Sequence, residues 1–484
     1  MNMTEQVLVV DIGTSSVRAA VVRADGSFAH ETARELLPEC PADGVVQFDA
    51  AAMARASLET ARAALDVAGA VDAVGISNQR ASTVVWERST GAPVGPAIGW
   101  QDLRTVGECL RLRSEGLRVA PNQSATKLAW LLDQYDAARD RDLCFGTVDT
   151  WIVWTLTDGA AHVTDASNAA VTGILASDHA HWNRHTLEAL HIPERVLPTV
   201  VDSTGVVAAA TALAGAPPIA ALLGDQQASL VGQGCVRHGD TKITFGTGGM
   251  LDLTLDTAPP PIRDRGAHGT FPIVAWRHEG IVTYGIEAIM LAAGTNVQWL
   301  RDELGLIDSS AQSHELASSV PTSDGVVFVP APLGLGTPAW DYGARGALFG
   351  ITRGTTRAHV VRAVLEGIAH RGADLVDAAE ADTGVSIPVL RVDGGMTDNP
   401  TFVQALADAS RRPVEISPFR EATALGAALL AGLAIGHHGS VADLARTWMP
   451  RARVEPGRKL DRGQWREAVD RSRRWIPALS GVDF

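Results

Sequence analysis

The sequence predicts an α/β protein built from two similar halves that face each other across a cleft. Each half begins with an apolar strand, a turn rich in Gly and Thr, and a second apolar strand. The first copy is VVDIGTSSVRAAVVRADG at 9–26, and the second is TKITFGTGGMLDLTLDT at 241–257. The chain of 484 residues is long enough for two or three domains, and the divide between the halves lies near 235–240.

The first half is predicted to open with a β-hairpin over residues 6–30, closed by a Gly-containing turn. Residues 71–86 repeat this form, with a strand, a polar turn and a strand. The segment 125–140 has apolar residues at helical spacing, which predicts a helix. Residues 217–234 are predicted to form a strand that ends in Gly224-Asp225-Gln226 and continues as a helix.

The second half is predicted to open with the hairpin over 241–257. A later strand ends at Asp393-Gly394-Gly395, and a helix begins near Asn399-Pro400. The longest apolar run, ATALGAALLAGLAIG at 422–436, predicts a buried helix whose small residues allow close packing. It falls short of the roughly 20 residues that a membrane span needs. The Arg-, Trp- and Pro-rich C-terminal end predicts a packed tail.

The composition argues against several classes of function. With 46% hydrophobic and 20% charged residues, the chain is typical of a globular protein. Its formal charge of −14 disfavours a surface for nucleic acid or anionic membrane, although backbone N–H groups can still hold a phosphate. Four widely spaced cysteines form no zinc motif, and the start MNMTEQVLVVD lacks the segments of a signal peptide. These features predict a cytoplasmic protein with free thiols.

Two glycine-rich turns are candidates for binding phosphate. At Gly13–Ser16, the glycine lets a ligand approach the backbone, and hydroxyl side chains stand beside successive N–H groups. Asp11, before this turn, is a candidate ligand for Mg²⁺, which prefers oxygen atoms. Phe245–Gly249 is a second such turn. Either turn alone is explained as well by an ordinary hairpin, but two of them favour one phosphate chain held between the halves.

Two further turns have both a chemical and a structural explanation. Asp225 follows a strand, where a carboxylate could accept the proton of an attacking hydroxyl. Asp is also a good helix N-cap, and the local sequence favours that role. Asp393-Gly394-Gly395 could bring backbone close to an adenine, but in isolation a strand-to-helix turn explains it better. The chain lacks a Gly-x-x-x-x-Gly-Lys-Ser/Thr loop and the protein-kinase signatures, which disfavours both classes.

Eight stretches spread over nearly the whole chain carry a family resemblance. They are DIGTSSVRA (11–19), GISNQRASTVVWERSTGAPVGPAIGWQDLRT (75–105), FGTVDTWIVWTLTDGAAHVTDASNAAVTG (145–173), GDQQASLVGQ (224–233), TFGTGGM (244–250), GALFGITRGTTRAHVVRAVLEGIAHR (346–371), RVDGGMTDNPTFVQALAD (391–408) and EATALGAALLAG (421–432). Together they resemble the FGGY carbohydrate kinases, and within that family the glycerol kinases.

The resemblance implies an actin-like, ribonuclease-H-like fold of two lobes with the active site between them. The N-terminal lobe, 1–237, would bind polyol and phosphate and carry the catalytic base. The C-terminal lobe, 238–484, would bind ATP and include the tail. The implied reaction is transfer of the γ-phosphate of ATP to a terminal hydroxyl of a small polyol or sugar, with Mg²⁺. Nucleic acid and membrane are not expected partners, and a homodimer and a homotetramer stay open as oligomeric states.

Position by position, the resemblance implies a role for each matching residue. Asp225 would be the base that deprotonates the substrate hydroxyl, and Asp11 and Asp225 would place the metal. The implied polyol contacts are Arg80, Ala81, Trp100, Asn122, Asp225 and Gln226. The implied ATP contacts are Thr14, Ser15, Ser16, Arg18, Thr247, Gly294, Gln298, Gly395 and Asn399. Phosphoryl transfer needs positioning and charge neutralisation more than covalent help, which agrees with such a set.

Two of the six polyol positions depart from the glycerol kinase pattern. Ala81 stands where that pattern has a glutamate after the Gln-Arg pair, and Asn122 stands where it has a tyrosine. Both changes shrink the side chain, and one removes a charge. One interpretation is a roomier pocket for a four- or five-carbon polyol or ketose of the erythritol, threitol or xylulose type. The other is that water or a neighbouring side chain replaces the glutamate and the substrate is still glycerol.

The sequence also bears on regulation and on two rival functions. The segment AAATALAGAPPIAALLGDQQ (208–227) lacks the arginine loop with which some glycerol kinases bind fructose 1,6-bisphosphate, so that inhibition is not expected. A non-catalytic sugar or nucleotide sensor and an ATP hydrolase acting on a protein are the rivals on this fold. Asp11, Asp225 and both glycine turns argue against the sensor, and Arg80 with Trp100 argues against the hydrolase.

Overall fold

A computed structural model describes residues 5–446 and 448–482. Residues 1–4, part of the start compared with a signal peptide, lie outside the described residues. The strands are β1 Gln6–Ile12, β2 Ser16–Arg23, β3 Phe28–Glu35, β4 Gln47–Phe48, β5 Ala73–Asn78, β6 Val84–Glu87, β7 Ala97–Ile98, β8 Leu143–Gly146, β9 Val163–Asp165, β10 Thr199–Val201, β11 Thr204–Ala209, β12 Pro218–Gly224, β13 Thr241–Phe245, β14 Gly249–Thr254, β15 Phe271–His278, β16 Ile281–Met290, β17 Val327–Val329, β18 Ala347–Phe349, β19 Leu390–Asp393, β20 Val414–Ile416 and β21 Ala452–Val454.

The helices alternate with these strands. They are α1 Ala50–Ala68, α2 Val106–Ser114, α3 Ala125–Tyr135, α4 Val148–Leu156, α5 Ala166–Ala170, α6 Arg184–Ala189, α7 Asp225–Gly232, α8 Gly294–Asp302, α9 Gln312–Ser318, α10 Arg357–Thr383, α11 Pro400–Ser410, α12 Ala422–Ala434, α13 Arg462–Ser472 and α14 Pro477–Ser480. Short 3-10 turns lie at Glu194–Val196, Gly395–Asp398 and Val441–Ala445.

The first half is built on a sheet with β1 near its centre. β2 pairs antiparallel with β1, and β3 with β2, which confirms the hairpin predicted at 6–30. On its other side β1 pairs parallel with β5, and β5 pairs parallel with β12. The apolar run Val7–Val10 of β1 is buried on both faces, as a parallel strand covered by helices requires. Because β1, β5 and β12 are parallel, their carboxyl ends reach one edge of the sheet.

The second half repeats this arrangement. β13 and β14 form the hairpin predicted at 241–257, and β16 pairs antiparallel with β14. β19 is parallel to β13, and β20 is parallel to β19. β15 pairs antiparallel with β16. On its other side β15 pairs with β11 of the first half, through Thr204 and His278. Thirteen of the described strands, drawn from both halves, therefore form one sheet, and the others form four two-stranded sheets.

Two local expectations need correction. The strands predicted within 71–86 both form, but β5 pairs with β1 and β12 whereas β6 pairs with β8, so they do not make a hairpin. The helix predicted for 125–140 ends at Tyr135. There the Asp136 carboxylate accepts hydrogen bonds from the backbone N–H groups of Asp140 and Arg141, which turns the chain away from the helix.

Helices α7 and α12 pack against each other and against one face of the first half's sheet. α12 comes from the second half of the sequence, yet its Leu430 lies in one buried cluster with Val9 of β1 and Leu223 of β12. Gly232 of α7 and Gly426 of α12 lie at the crossing. A Cβ on either glycine would overlap a backbone carbonyl oxygen of the other helix. This packing confirms the buried small-residue helix that the sequence predicts.

β21 and α13, which follow α12 in the chain, pack on the second half. β21 extends the edge of the sheet beside β20. Trp465 of α13 is buried, and its indole Nε1 donates a hydrogen bond of 3.1 Å to the carboxylate of Asp374 in α10. No helix in the described part of the chain is both long enough and apolar enough to cross a membrane.

We expect Gly426→Ala to lower the free energy of unfolding by about 3 kcal/mol or more, because the added methyl group must push two helix backbones apart. Thermal and denaturant unfolding followed by circular dichroism would measure the change. Gly107→Ala is the matched control, since Gly107 is also helical and a Cβ there meets no atom within 4 Å. Helix propensity predicts that this control is neutral or stabilised by up to about 1 kcal/mol. Wild-type stability of Gly426→Ala would contradict the close packing.

Candidate active site at the ends of the parallel strands

Three predicted site residues lie at the carboxyl ends of neighbouring parallel strands. Asp11 is the penultimate residue of β1, Arg80 follows β5 by two residues, and Asp225 directly follows β12. Asn78, the last residue of β5, is in register with the last residues of both β1 and β12. The three ends are therefore level, and ligands of α/β sheets commonly bind at this edge.

Asp11 is held at the strand end by a neighbouring hydroxyl. Ser77 donates a hydrogen bond of 2.6 Å to Oδ1 of Asp11. Burial raises the pKa of Asp11 to about 6, the Ser77 hydrogen bond opposes this shift, and the negative charge of Asp225 adds to it. Asp11 and Asp225 are thus close enough for their charges to interact.

This pair of carboxylates fits a magnesium ion. A bound cation would relieve both the burial of Asp11 and its repulsion from Asp225. Among the described residues, no three His, Cys, Asp or Glu side chains gather as a metal site. Mg²⁺ does not need such a cage, because it is commonly held by one or two carboxylates and keeps several waters.

Asp225 begins α7, but it is not the N-cap. Gly224 occupies that position, and Oδ1 of Asp225 accepts a hydrogen bond of 2.8 Å from the N–H of the next residue, Gln226. The local expectation of a capping aspartate was therefore wrong. The side chain is 33% exposed. Burial raises its pKa and the guanidinium of Arg80 opposes that shift. Such a carboxylate is suited to accept a proton.

Arg80 connects the first half to the second. Its Nε lies 3.5 Å from Oδ1 of Asp225, and its Nη2 donates a hydrogen bond of 2.6 Å to Oε2 of Glu287 in β16. Burial opposes the charge of Arg80, but the carboxylates of Glu287 and Asp225 outweigh burial and raise its pKa. Gly224 leaves room for this side chain, because a Cβ there would lie 2.6 Å from Cδ of Arg80.

Trp100, a predicted polyol contact, lies against the first glycine turn. Its indole Nε1 donates to Oγ1 of Thr14 at 3.3 Å. The backbone around Trp100 is held by Lys127, whose buried Nζ donates to the carbonyl oxygens of Gly99 and Trp100 at 2.8 and 3.0 Å. Burial lowers the pKa of Lys127 to about 7, although the negative charge of Asp102 opposes the shift. Lys127 is thus a buried support for Trp100.

The two departing positions lie on neighbouring segments of the first half, which a hydrogen bond between Ser124 and Ala81 joins. Ala81 is buried and has a positive φ of 61°. Asn122 is exposed in the turn before α3. Ser124, two residues further along that turn, donates a hydrogen bond of 2.9 Å to the carbonyl oxygen of Ala81. Asn122 therefore lies two residues along the chain from a direct contact with Ala81.

The predicted ATP residues of the second half gather around the turn between β13 and β14. The carbonyl oxygen of Thr247 accepts a hydrogen bond of 2.8 Å from the N–H of Ala293. The N–H of Gly294 donates to the carbonyl oxygen of Gly246 at 2.9 Å. These bonds hold the start of α8 on the turn, and Gln298 is exposed on the same helix.

The turn after β19 packs against the same hairpin. Gly394 has φ +88°, and a Cβ there would overlap the backbone of Phe245, so this glycine is required for strand packing. Gly395 instead faces open space. Asn399 caps α11 through its Oδ1, and its Nδ2 donates a hydrogen bond of 2.9 Å to Ser313 of α9. Its side chain is thus already engaged in structural contacts.

The remaining predicted ATP residues lie on the first hairpin. The carbonyl oxygen of Ser16 accepts a hydrogen bond of 2.9 Å from the N–H of Gly13, which closes the turn around exposed Ser15. Arg18 points to a partner across the halves: its Nη1 lies 2.9 Å from both carboxylate oxygens of Glu421, just before α12. A nucleotide phosphate would have to share Arg18 with Glu421.

Sequence reasoning missed three charged residues of the second half that reach this edge, Lys242, Asp252 and Glu287. Nζ of Lys242 lies 2.7 Å from Oδ2 of Asp252 and donates to Oε1 of Gln226 at 2.8 Å. Each of the three interrupts an apolar strand, in TKITF, GMLDLT and IVTYGIEAIM. Charged residues are rarely buried unless they are paired, so this interruption is a usable signal.

Family models for the N-terminal and C-terminal domains of the FGGY family of carbohydrate kinases match residues 6–232 and 241–435. A glycerol kinase from Aromatoleum aromaticum is 44% identical over 97% of this chain and 99% of its own length. Glycerol kinase 2 from Thermotoga maritima is 40% identical over 97% of this chain and 99% of its own length.

Solved structures agree on the fold. Plasmodium falciparum glycerol kinase with ADP matches with a TM-score of 0.89 and 26% identity, covering 96% of this chain and 98% of that one. A xylulose kinase from Rhodospirillum rubrum matches with a TM-score of 0.80 and 24% identity, covering 98% of each chain. These matches confirm the two-lobed α/β fold class that the sequence predicts.

We expect Lys127 to make stability depend on pH above neutrality. Its pKa is about 7 in the folded protein, against an ordinary 10.5. Between these values the unfolded chain binds one more proton, so the free energy of unfolding gains up to about 1.4 kcal/mol per pH unit as pH rises. In denaturant unfolding from pH 7 to 9, the free energy of unfolding of the wild type should therefore rise relative to that of Lys127→Met.

The exposed lysine Lys459 supplies the control for this series. Lys459→Met measures, at each pH, the effect of replacing an exposed lysine by methionine. A difference between wild type and Lys127→Met that stays constant with pH would contradict the lowered pKa.

Proposed function

Because the chain belongs to the FGGY family of carbohydrate kinases, we propose that it is a glycerol-kinase-like enzyme that transfers the terminal phosphate of ATP to a terminal hydroxyl of a small polyol. It is a phosphotransferase with an alcohol group as acceptor. The observation that supports this reaction best is the position of Asp225, partly exposed at the strand edge, beside Arg80 and within the electrostatic reach of Asp11.

In the proposed reaction, Asp225 accepts the proton of the attacking hydroxyl as the new oxygen–phosphorus bond forms and ADP leaves. Its raised pKa makes it a stronger proton acceptor than an ordinary aspartate. Arg80, Trp100 and Gln226 would orient the polyol. Holding the hydroxyl close to the phosphate accounts for much of the rate enhancement in such reactions, so these contacts matter as much as the base.

The nucleotide would lie against the two glycine turns. Thr14, Ser15 and Ser16 supply hydroxyl and N–H groups on the first turn, and Thr247 does so on the second. Gly294, Gln298, Gly395 and Asn399 would surround the rest of the nucleotide, and Arg18 would contact a phosphate. Backbone N–H groups bind phosphate without a positively charged surface, which suits a chain with a net charge of −14.

Asp11 and Asp225 would hold Mg²⁺, which neutralises charge on the phosphates when it is bound. We also propose a cytoplasmic location, which the unpaired state of all four cysteines supports. A homodimer or homotetramer stays a prediction.

A second candidate substrate class is favoured by the two departing positions. Ala81 has a shorter side chain than the glutamate of the glycerol kinase pattern and lacks a carboxylate that would accept hydrogen bonds from polyol hydroxyls. Asn122 is exposed rather than packed over the site. A pocket enlarged in this way would admit a four- or five-carbon polyol or ketose, whereas glycerol would leave part of it to water.

Asp225→Asn is expected to lower kcat by about 10²- to 10⁴-fold, because the amide cannot take the proton. Coupled ADP release with Mg-ATP would be measured on glycerol, erythritol, D- and L-threitol, xylitol, ribitol, D-xylulose and L-ribulose. The control is Asp256→Asn, which changes an exposed aspartate paired with His238 and should keep wild-type rates. ADP release that does not depend on any polyol would instead support the hydrolase, and its complete absence the sensor.

Restoring the glutamate and tyrosine should narrow the pocket. We expect the double variant Ala81→Glu/Asn122→Tyr to raise the ratio of kcat/KM for glycerol to that for erythritol by about tenfold or more, since it adds a hydroxyl acceptor and fills volume. The two single variants show which change acts. An unchanged ratio in all three would remove the support for a roomier pocket.

A further inference from the structure

Four charged side chains lie buried where the two halves meet, and we call them the cleft tetrad: Arg80, Lys242, Asp252 and Glu287. Arg80 belongs to the first half, and the others lie on β13, β14 and β16 of the second. The side chains of Lys242 and Asp252 are 0% exposed, and those of Glu287 and Arg80 are 8% and 13% exposed. Charges buried to this extent require partners.

The two acids of the tetrad are neighbours in the sheet. Asp252 and Glu287 are direct register partners on antiparallel β14 and β16. Like charges in such a pair destabilise a sheet, so each acid needs its own cation. Nζ of Lys242 lies 2.7 Å from Oδ2 of Asp252, and Nη2 of Arg80 lies 2.6 Å from Oε2 of Glu287.

Each cation of the tetrad also reaches the polyol side of the site. Arg80 is a proposed polyol contact, and its Nε lies 3.5 Å from Asp225. Lys242 donates a hydrogen bond of 2.8 Å to Oε1 of Gln226, which is another proposed polyol contact. Two acceptor-site residues of the first half are therefore held by side chains of the second.

The contacts of Arg80 leave one guanidinium nitrogen, Nη1, without a partner. Its Nε faces Asp225 and its Nη2 is bonded to Glu287, whereas its buried Nη1 has no hydrogen-bond partner. An unpaired buried donor is costly, and a polyol hydroxyl is a group that would satisfy it. The direction of Nη1 depends on the bond to Glu287, because the guanidinium is rigid and planar.

We propose that Glu287 and Lys242 are positioning residues of the polyol site, Glu287 orienting Arg80 and Lys242 orienting Gln226. This inference rests on the proposed function and adds the residues that align the acceptor. The second half would thereby contribute to polyol binding as well as to nucleotide binding.

The test compares Glu287→Gln with the wild type on the polyol that the wild type turns over. Glutamine keeps the shape of the side chain and an acceptor but removes the charge that fixes Arg80. We expect the polyol KM to rise about 10- to 100-fold, as for loss of a hydrogen bond between charged groups. The KM for ATP should stay within about twofold, and kcat should fall less than the polyol KM rises.

Asp202→Asn is the matched control. Asp202 also makes an ion pair between the halves that is partly buried, with Oδ1 at 2.5 Å from Nε of Arg277, but at the β11–β15 junction. Its polyol KM should stay at the wild-type value. An equal rise of the polyol KM in both variants would mean that any loosening of the halves suffices, and would overturn the specific role of Glu287.

A second variant tests Lys242 without leaving Asp252 as an unpaired buried charge. Lys242→Met/Asp252→Leu replaces the pair with apolar side chains, a change that buried ion pairs often tolerate. Gln226 then loses its donor, and we expect a higher polyol KM with an unchanged ATP KM. A parallel rise of both KM values would indicate a merely structural role and overturn the inference for Lys242.

The outcomes separate this inference from the proposed function. A wild type that phosphorylates a polyol, with an unchanged polyol KM in Glu287→Gln, would overturn the inference for Glu287 and leave the kinase function intact. A wild type that turns over no polyol of the panel would overturn both.

Discussion

At the crossing of α7 and α12, Gly232 and Gly426 bring two helix backbones so close that neither position accepts a Cβ. α7 begins with Asp225, and α12 begins directly after Glu421, the partner of Arg18. The position of the proposed base and one of the ion pairs between the halves therefore depend on this contact. A helix from the second half of the sequence thus completes the core of the first half. The two halves therefore cannot move as fully independent bodies.

Buried polar side chains stiffen the strand ends behind the site. The N–H of Gly224, just before Asp225, donates to Oγ of Ser167 at 3.0 Å. The hydroxyl of Ser167 is itself bonded to the carboxylate of Asp165 at 3.0 Å, and Asn78 and Asn168 exchange amide hydrogen bonds. Because every member has a partner, such a network fixes position rather than adding strain. The proposed base stands on a rigid support, which phosphoryl transfer requires.

The distribution of charge explains how a protein with an acidic sequence forms a site for anionic ligands. At the site, two positive side chains are buried and paired, Arg80 between Asp225 and Glu287 and Lys242 against Asp252. The glycine turns supply backbone N–H groups that bind phosphate without further positive side chains. Ala81 stands where the glycerol kinase pattern has a glutamate, so the chain has one negative charge fewer next to Arg80 than that pattern.

The sequence by itself determined what local patterns encode. The two hairpins, the strand ends at Asp11 and Asp225, and the apolar helix at 422–436 follow from periodicity and turn residues that act over a few positions. The family resemblance carried the candidate site residues that match it. Only the tertiary structure decided which charges meet, that Asp225 is not an N-cap, and that Glu287 holds Arg80 from 207 positions away. Such pairings depend on how the two halves of the sheet join and how closely two helices approach, and no short stretch of sequence contains that information.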